Sequence, residues 1–503
     1  LLDHLKPQRF ADAWRRFTET PLDQLLARAE AGGEPAANAF ALFRDMLAHV
    51  PAYGRFLADQ GIDAASIRGP ADLARLPLAA KENYIRRYPL AELVRGGRLE
   101  SCDMLAQSSG STGEPSFWPR FPADEFAVAE RFEQVFRDSF AADERRTLAV
   151  TCFALGSWVG GHFTLACCRH LAAKGYPILN IAPGMNKPEI YRILKELGPG
   201  FDQVVLLGYP PYLKDVIDGG PAAGIDWSRL KARLVLAGEP FSEAWRDLVG
   251  QRLGGSDPCY DFASLYGTAD GGVLANETPL SIRIRRFLAE TPTAARELFG
   301  EARLPTLAQY DPFRRFFEVK DGTLLFSGDN GVPLMRYHIA DSGGLIGYDD
   351  MLRFLARHGF DPIPGLASHG WRGVRHLPFV YVFGRANFAV SYFGANVFPE
   401  TVAVGLEQPE VALWTTGKFV LQAIEGLDRP PELYITVELA PGIAADAGKA
   451  EAMAASVLAH LMRLNSEFAN YTPAEYRRPR VDLKPTGDPD WFPVGVKHRH
   501  SRR

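Results

Sequence analysis

Ser108-Ser109-Gly110-Ser111-Thr112-Gly113-Glu114-Pro115 is the stretch on which the reading of this chain turns. It sets four hydroxyl side chains around two glycines. Such a segment cannot bury apolar surface and has no helical period. Glycine lets successive backbone N–H groups turn toward one point, and the hydroxyls add donors, which suits a polyanion such as phosphate. A solvated Ser/Gly linker has the same composition. The flanks speak against a linker, because Met104-Leu105 lead in and Phe117-Trp118 follow soon after.

Outward from this loop, short β-type runs alternate with helical spacing. The runs are Leu148 to Phe153, Tyr176 to Ile181, Val204 to Leu207 and Leu234 to Ala237. Helical patterns cover Asp124 to Phe140, a segment reaching about Lys174, Lys187 to Leu197 and Pro211 to Ile217. This alternation predicts an α/β sheet with helices on both faces. Upstream, residues 1 to about 70 read as helical, with one helix ending at Val50-Pro51 and another stopping at Gly61. Downstream, Thr323 to Ser327 and Phe379 to Phe383 read as strands. The last part reads as α+β, with strands at Val411–Trp414, Phe419–Ile424 and Leu433–Leu439, a helix over Ala450–Glu467 and a final strand at Arg480–Leu483.

A chain of 503 residues exceeds one ordinary core, so two or three domains are expected. Hydrophobic and charged fractions of 47% and 23% are those of a soluble globular protein. A net charge of −4 gives no electrostatic case for nucleic acid or an acidic membrane surface. No apolar run reaches the roughly 18–20 residues that span a bilayer. No signal peptide is visible in a chain that starts at Leu1. The five cysteines form no C-x-x-C pair, which fits reduced thiols and a cytoplasmic protein.

Further segments carry polar residues at the ends of apolar runs. Gly238-Glu239-Pro240 closes the run at 234–237, and ligands of open α/β sheets sit at the carboxyl ends of strands. Ser264-Leu265-Tyr266-Gly267-Thr268-Ala269-Asp270-Gly271-Gly272 is a glycine-rich turn with one carboxylate. Met335-Arg336-Tyr337-His338-Ile339-Ala340-Asp341, Gly384-Arg385-Ala386-Asn387 and Ser391 to Glu400 come next, and Gly495-Val496-Lys497 lies near the end. Lys81, after Leu76-Pro77-Leu78, reads as a surface lysine.

In this order the segments resemble the motifs of the adenylate-forming superfamily, and most closely its phenylacetate–CoA ligase-like branch. The resemblance implies a large multi-subdomain α/β N-terminal domain (1–384, with 1–70 a helical lead-in) and a small mobile α+β C-terminal domain (385–503). It implies that ATP lies against Ser108, Ser109, Gly110, Ser111, Thr112 and Gly113. Gly238, Glu239 and Pro240 would run along the adenine, Tyr266 would stack on it beside Gly267, and Asp341 would accept from both ribose hydroxyls. Arg385 would contact ribose or phosphate, Asp270 would hold Mg²⁺, and Lys497 would be the mobile lysine that neutralises the carboxylate and α-phosphate. Leu76-Pro77-Leu78 then Lys81 matches a further segment of the branch.

Several positions depart from the family pattern. Glu114 stands where a lysine is frequent, with Arg120 the nearest substitute cation. Ala269 replaces a hydroxyl residue, leaving Thr268 one place earlier. Ile339-Ala340 replaces Thr-Gly, and Asn387 sits at the hinge position. By analogy, Gly156 to Gly161 with Trp158, and the segment around Phe262 and Ala263, would wall an acyl pocket for an aromatic or apolar acid.

The activity so implied is ATP-dependent conversion of a carboxylic acid to an acyl-adenylate, then transfer to a thiol, CoA above all. A carrier protein or an amine is an alternative acceptor, and a homodimer is compatible with the family. Two other readings compete. An amidase-type hydrolase needs a Ser-x-x-Lys upstream of its loop serine, and the pattern here, Ser228-Arg229-Leu230-Lys231, lies downstream. A non-catalytic nucleotide-binding relative would explain the changes at 114, 269 and 387.

Overall fold

Apolar residues alternate along the first parallel strands, and that alternation sets the layers. In a strand, successive side chains point to opposite faces of the sheet. Leu148, Val150, Val204, Leu206, Leu234 and Leu236 pack one way, against Ile190, Ile193, Leu213, Val216, Trp245 and Val249. Ala149, Val205, Leu207, Val235, Ala263 and Leu265 pack the other way, against Phe126, Phe132, Phe136, Cys167 and Cys168.

The computed structural model describes residues 2–107, 116–156, 159–255, 257–301, 303–370, 372–385, 390–393, 395–426 and 429–493. Its strands are β1 (Met104–Gln107), β2 (Phe117–Arg120), β3 (Thr147–Thr151), β4 (Ile178–Ile181), β5 (Gln203–Gly208), β6 (Ala232–Ala237), β7 (Phe262–Thr268), β8 (Gly272–Asn276) and β9 (Thr306–Gln309). They continue with β10 (Phe316–Lys320), β11 (Thr323–Gly328), β12 (Leu334–Ile346), β13 (Phe379–Arg385), β14 (Val390–Tyr392), β15 (Ala395–Val397), β16 (Thr415–Gly426), β17 (Arg429–Leu439) and β18 (Arg480–Lys484).

One sheet of 11 strands runs in the order β10-β11-β12-β13-β9-β8-β7-β6-β5-β3-β4. From β7 to β4 it is parallel, and from β7 to β10 antiparallel. The helices Pro122–Gln134, Val159–Ala173, Lys187–Glu196, Pro210–Gly219 and Glu243–Arg252 connect the parallel part and cover both its faces, as the alternation predicts. The helical lead-in packs Phe43, Met46, Tyr53 and Phe56 on the antiparallel part, beside Phe326, Leu334 and Tyr337. No helix among the described residues is long and apolar enough to cross a membrane.

Beyond β13 a separate core forms from Val402, Leu406, Phe419, Leu421, Ile435, Val437, Met453, Val457 and Leu461. A sheet of three strands, β16-β17-β18, carries the helix Ala447–Leu464. The strand expected at Val411–Trp414 is not formed. Pro409 opens a short helix, Pro409–Ala412, and the Trp414 indole N–H donates to Glu410 O at 2.9 Å. Proline at the first helical turn lacks only an N–H that would be unpaired anyway, so the helix wins there.

Behind the ends of β6 and β7 sits a buried charge network. Arg246 donates to Glu243 at 2.9 Å and to Glu277 at 2.7 Å, and Glu277 accepts from Ser264 N at 2.9 Å. Arg285 donates to Glu243 as well. Burial pushes the Glu243 carboxyl up, but Arg246 and Arg285 outweigh it and hold it at about 2, below its ordinary 4.5. A depressed carboxyl contributes stability above its unfolded pKa and loses it as pH falls through the folded value. This contribution is therefore full above pH 4.5 and disappears toward pH 2. Glu243→Gln should lower stability by about 3 kcal/mol at pH 7, the scale for one lost partner of a buried pair. Urea unfolding followed by tryptophan fluorescence checks this; an unchanged midpoint contradicts it.

Candidate active site

The ends of β6 and β7, the β7–β8 turn, β12 and the β1–β2 hairpin converge on one cleft. The turn is built to hold Asp270. Thr268 Oγ1 accepts from Gly271 N at 3.0 Å. Gly267 leaves room for the crossing chain, since a Cβ there would lie 2.7 Å from Gly272 O. Arg120, at the end of β2 and 1% exposed, reaches the same turn and donates to the carbonyls of Ala269 and Asp270. Asp124 lies nearby and accepts from Gly331 N at 2.6 Å and Phe121 N at 3.1 Å. Burial pushes its carboxyl up to about 6.

Strand β12 brings two functional groups into the cleft. Tyr337 Oη donates to Asp270 Oδ2 at 2.6 Å. Asp341, four residues on, accepts from Tyr266 Oη at 2.7 Å. The segment Leu76–Lys81 is sewn along this strand. Ala79 N donates to Arg336 O at 3.2 Å, and His338 N donates to Ala79 O at 2.8 Å. Arg336, at φ +46°, extends its guanidinium to the carbonyls of Ala74 and Leu76 at 2.6 and 2.5 Å and to Glu318 at 3.1 Å. Asn83 fastens the far end, accepting from Ala80 N at 2.7 Å and donating to Leu78 O at 2.9 Å. Lys81 is thereby delivered to the cleft, with Nζ 3.5 Å from Asp270 Oδ1.

Strand register brings the other segments alongside. Ala237 pairs with Leu265, so Gly238 and Tyr266 follow side by side on neighbouring strands. Gly238, at φ +99°, turns the chain there, and Glu239 faces the Tyr209 hydroxyl. Asp341 pairs across the ladder with Arg385, so the main chain of the Gly384-Arg385 pair lies opposite the β12 carboxylate. Gly384 has φ +110°, and a Cβ there would overlap the Glu400 carboxylate.

Of the residues expected at the site, Gly238, Glu239, Pro240, Tyr266, Gly267, Asp270 and Asp341 stand at adjoining strand ends and turns. Ser108 to Gly113, Asn387 and Lys497 lie outside the described residues, as do Ser157 and Trp158. Gln107 pairs with Phe117 in the β1–β2 hairpin, and Arg120 at the end of β2 joins that hairpin to the Asp270 turn. Two expectations need correction. Arg120 is not a cation open to phosphate, because its guanidinium is buried on main-chain carbonyls. Thr268 Oγ1 accepts within its own turn, which leaves its hydroxyl proton to donate. Phe262 and Ala263 are buried in the two cores flanking the sheet, so they do not wall a pocket. Lys81 is the reverse case: read as a surface lysine, it is 19% exposed and faces Asp270. Its only signal was the Leu-Pro-Leu that precedes it. Tyr337 lay inside a quoted motif with no role attached.

No family model matches the chain. It is 27% identical over 368 residues to a phenylacetate-coenzyme A ligase of Thermus thermophilus, covering 72% of each chain. A phenylacetate-coenzyme A ligase of Aromatoleum evansii is 24% identical over 234 residues, or 46% of this chain and 49% of that one. Among solved structures, 2-hydroxyisobutyryl-CoA ligase in the postadenylation state, in complex with R3-HIB-AMP, has a TM-score of 0.66 at 15% identity, covering 97% of this chain and 91% of that one. The same enzyme in the thioesterification state gives 0.53 over the same coverage.

The chain is similar in sequence to phenylacetate-coenzyme A ligases and shares the fold of adenylate-forming CoA ligases. Within that superfamily fold, the large sheet presents its strand ends to the cleft, and the part beyond β13 forms its own α+β core. Arg120→Met tests how the Asp270 turn is held. Removing this donor leaves two main-chain carbonyls unpaired, so the ligand-free protein should lose about 1–3 kcal/mol. A lowered thermal midpoint without nucleotide agrees with that role. An unchanged midpoint would mean that the guanidinium is reserved for a ligand.

Proposed function

We propose that this chain uses ATP to convert a carboxylic acid to an acyl-adenylate and then passes the acyl group to CoA. The observation that carries the proposal is the pairing of Tyr266 with Asp341 at one end of the cleft and of Asp270 with Tyr337 and Lys81 at the other. The first pair offers an aromatic ring and a carboxylate to a nucleoside. The second pair offers a carboxylate and an ammonium where the phosphates would lie. Similarity to a phenylacetate-coenzyme A ligase over 72% of each chain supports the same reading.

A carboxylate is a poor electrophile because its leaving group would be oxide. Joining it to AMP makes a mixed anhydride and releases pyrophosphate. Negative charge gathers on the phosphorus oxygens in that transition state, so preorganised donors and cations lower the barrier. No nucleophilic side chain is needed; the acid's own oxygen attacks phosphorus. In this reading Lys81 supplies fixed positive charge beside Asp270, and Lys497 adds a second cation from the C-terminal part. A thiolate of CoA then attacks the acyl carbon and expels AMP.

Among the described residues no cluster of three or more His, Cys, Asp and Glu holds a metal by itself. Mg²⁺ asks for less, since one carboxylate with phosphate oxygens and water completes its octahedron. Asp270, a buried hard-oxygen donor with one carboxylate oxygen on Tyr337, fits a Mg²⁺ that arrives with ATP. When bound, the ion would neutralise phosphate charge.

The acid is apolar in this reading. An open hollow of about 610 Å³ is lined mainly by the apolar Ala154, Leu155, Pro183, Met185 and Pro188, with Asn186 and Lys187 as its polar members. The C-terminal part from 385 onward is a domain that rotates between the two steps, bringing Lys497 in for the first and withdrawing it for the second.

A panel of aromatic and aliphatic acids tests the proposal, with ATP, Mg²⁺ and CoA supplied and AMP and free thiol measured. An apolar acid should release AMP and consume thiol in equal amounts. Release of AMP without loss of thiol would move the acceptor to a carrier protein or an amine, and neither change with any acid would remove the proposal. Asp341→Ala should weaken ATP binding by about 1.5–3 kcal/mol, the worth of a charge-assisted hydrogen bond. Calorimetric titration with ATP reads this, and equal affinity would remove the ribose assignment.

A further inference from the structure

Lys214 is not among the residues around Asp270; it lies on the helix Pro210–Gly219, and its side chain is 2% exposed. An ammonium has three N–H donors and no acceptor. Here all three are used. One goes to Asp218 Oδ2 at 2.8 Å on its own helix, and the others to Ala412 O at 3.0 Å and Thr415 O at 2.8 Å, 198 and 201 residues away. Ala412 is the last residue of the short helix Pro409–Ala412, whose terminal carbonyls have no partner within the helix. A buried lysine placed on main-chain carbonyls of a distant segment is costly to keep unless those carbonyls are present.

Two more contacts lie along the same surface. Glu407, buried at the end of the helix Pro399–Leu406, accepts from Ser242 N at 3.1 Å. Ser242 is the N-cap of the helix Glu243–Arg252, where unpaired N–H groups favour a carboxylate. Arg303 sets its guanidinium 4.0 Å from the centre of the Phe398 ring. All three contacts join the part before β13 to the part after it, and none involves Asp270, Asp341 or Lys81.

We propose that Lys214, seconded by Glu407, is a positioning residue that holds the part after 385 in the arrangement serving the first half-reaction. This deepens the proposed function and rests on it. The greater likeness to the postadenylation structure than to the thioesterification structure of the same ligase supports the assignment of the arrangement. Rotation of the later part would pull Ala412 and Thr415 away from the ammonium. Holding one arrangement therefore favours adenylation over acyl transfer without any contact to a reacting atom.

The test compares wild type with Lys214→Met, which keeps the length of the side chain and removes its donors. Glu407→Leu probes the same surface from the opposite side. Two rates are read: acid-dependent pyrophosphate exchange, and transfer from pre-formed acyl-adenylate to CoA. Exchange should fall about 10-fold or more, the scale of losing hydrogen bonds to a charged group, while transfer stays at or above the wild-type rate. A purely structural role would lower both rates together. An activity-free readout accompanies them: spin labels at Leu197→Cys and Ile443→Cys, both exposed, with four of the five native cysteines buried. The inter-label distance should be narrow in wild type and broad in Lys214→Met. Unchanged distances, or an unchanged ratio of the two rates, overturn the inference. A wild type lacking both half-reactions would remove the proposed function instead, and the distances would still decide whether Lys214 holds the two parts together.

Discussion

The seam between Leu76–Lys81 and β12 is the constraint on which the cleft depends. Arg336 holds the seam with two bonds to main-chain carbonyls, adopting φ +46° to do so. Left-handed backbone is unfavourable for a residue with a long side chain, so the surrounding bonds must over-determine it. The result is that Tyr337 and Lys81, from segments more than 250 residues apart, meet the same carboxylate. Asp270 itself is fixed from behind by Arg120, which grips the turn through its carbonyls and leaves the side chain to the cleft. Each support reaches Asp270 from a different element.

Much of this was legible in the residues, for reasons that can be named. The parallel strands are short apolar runs ended by turn residues, and a run buried on both faces needs no partner to be recognised. Tyr266 and Asp341 were legible as motif residues, and their hydrogen bond unites two motifs separated by 75 residues. Lys81 was not legible, because its place is decided by a ladder to β12 that no local pattern records. Arg120 misled in the opposite sense: a cation near a phosphate-type loop suggests a ligand contact, whereas burial turned it inward. Val411–Trp414 has strand-like composition, but the proline two residues earlier and the indole bond to Glu410 made it the end of a helix.

The cleft and the surface around Lys214 divide the work of the molecule. The first supplies charge and donors at fixed positions, which is what stabilises a phosphoryl transition state. The second joins the part before β13 to the part after it by polar contacts from Lys214 and Glu407, and the proposed rotation would break them. A large hydrophobic interface would have fixed the two parts permanently. Two reactions with different needs at one site are better served by a polar, reversible join.

In the proposed function Asp270, held by Tyr337 and balanced by Lys81, is the metal-bearing carboxylate of an ATP site. Calorimetric titration of a non-hydrolysable ATP analogue at several Mg²⁺ concentrations tests it directly, using wild type and Asp270→Asn. Affinity should rise steeply with Mg²⁺ in wild type and barely at all in the variant, with both proteins equally folded by circular dichroism. The same Mg²⁺ dependence in both proteins would contradict it and place the metal elsewhere.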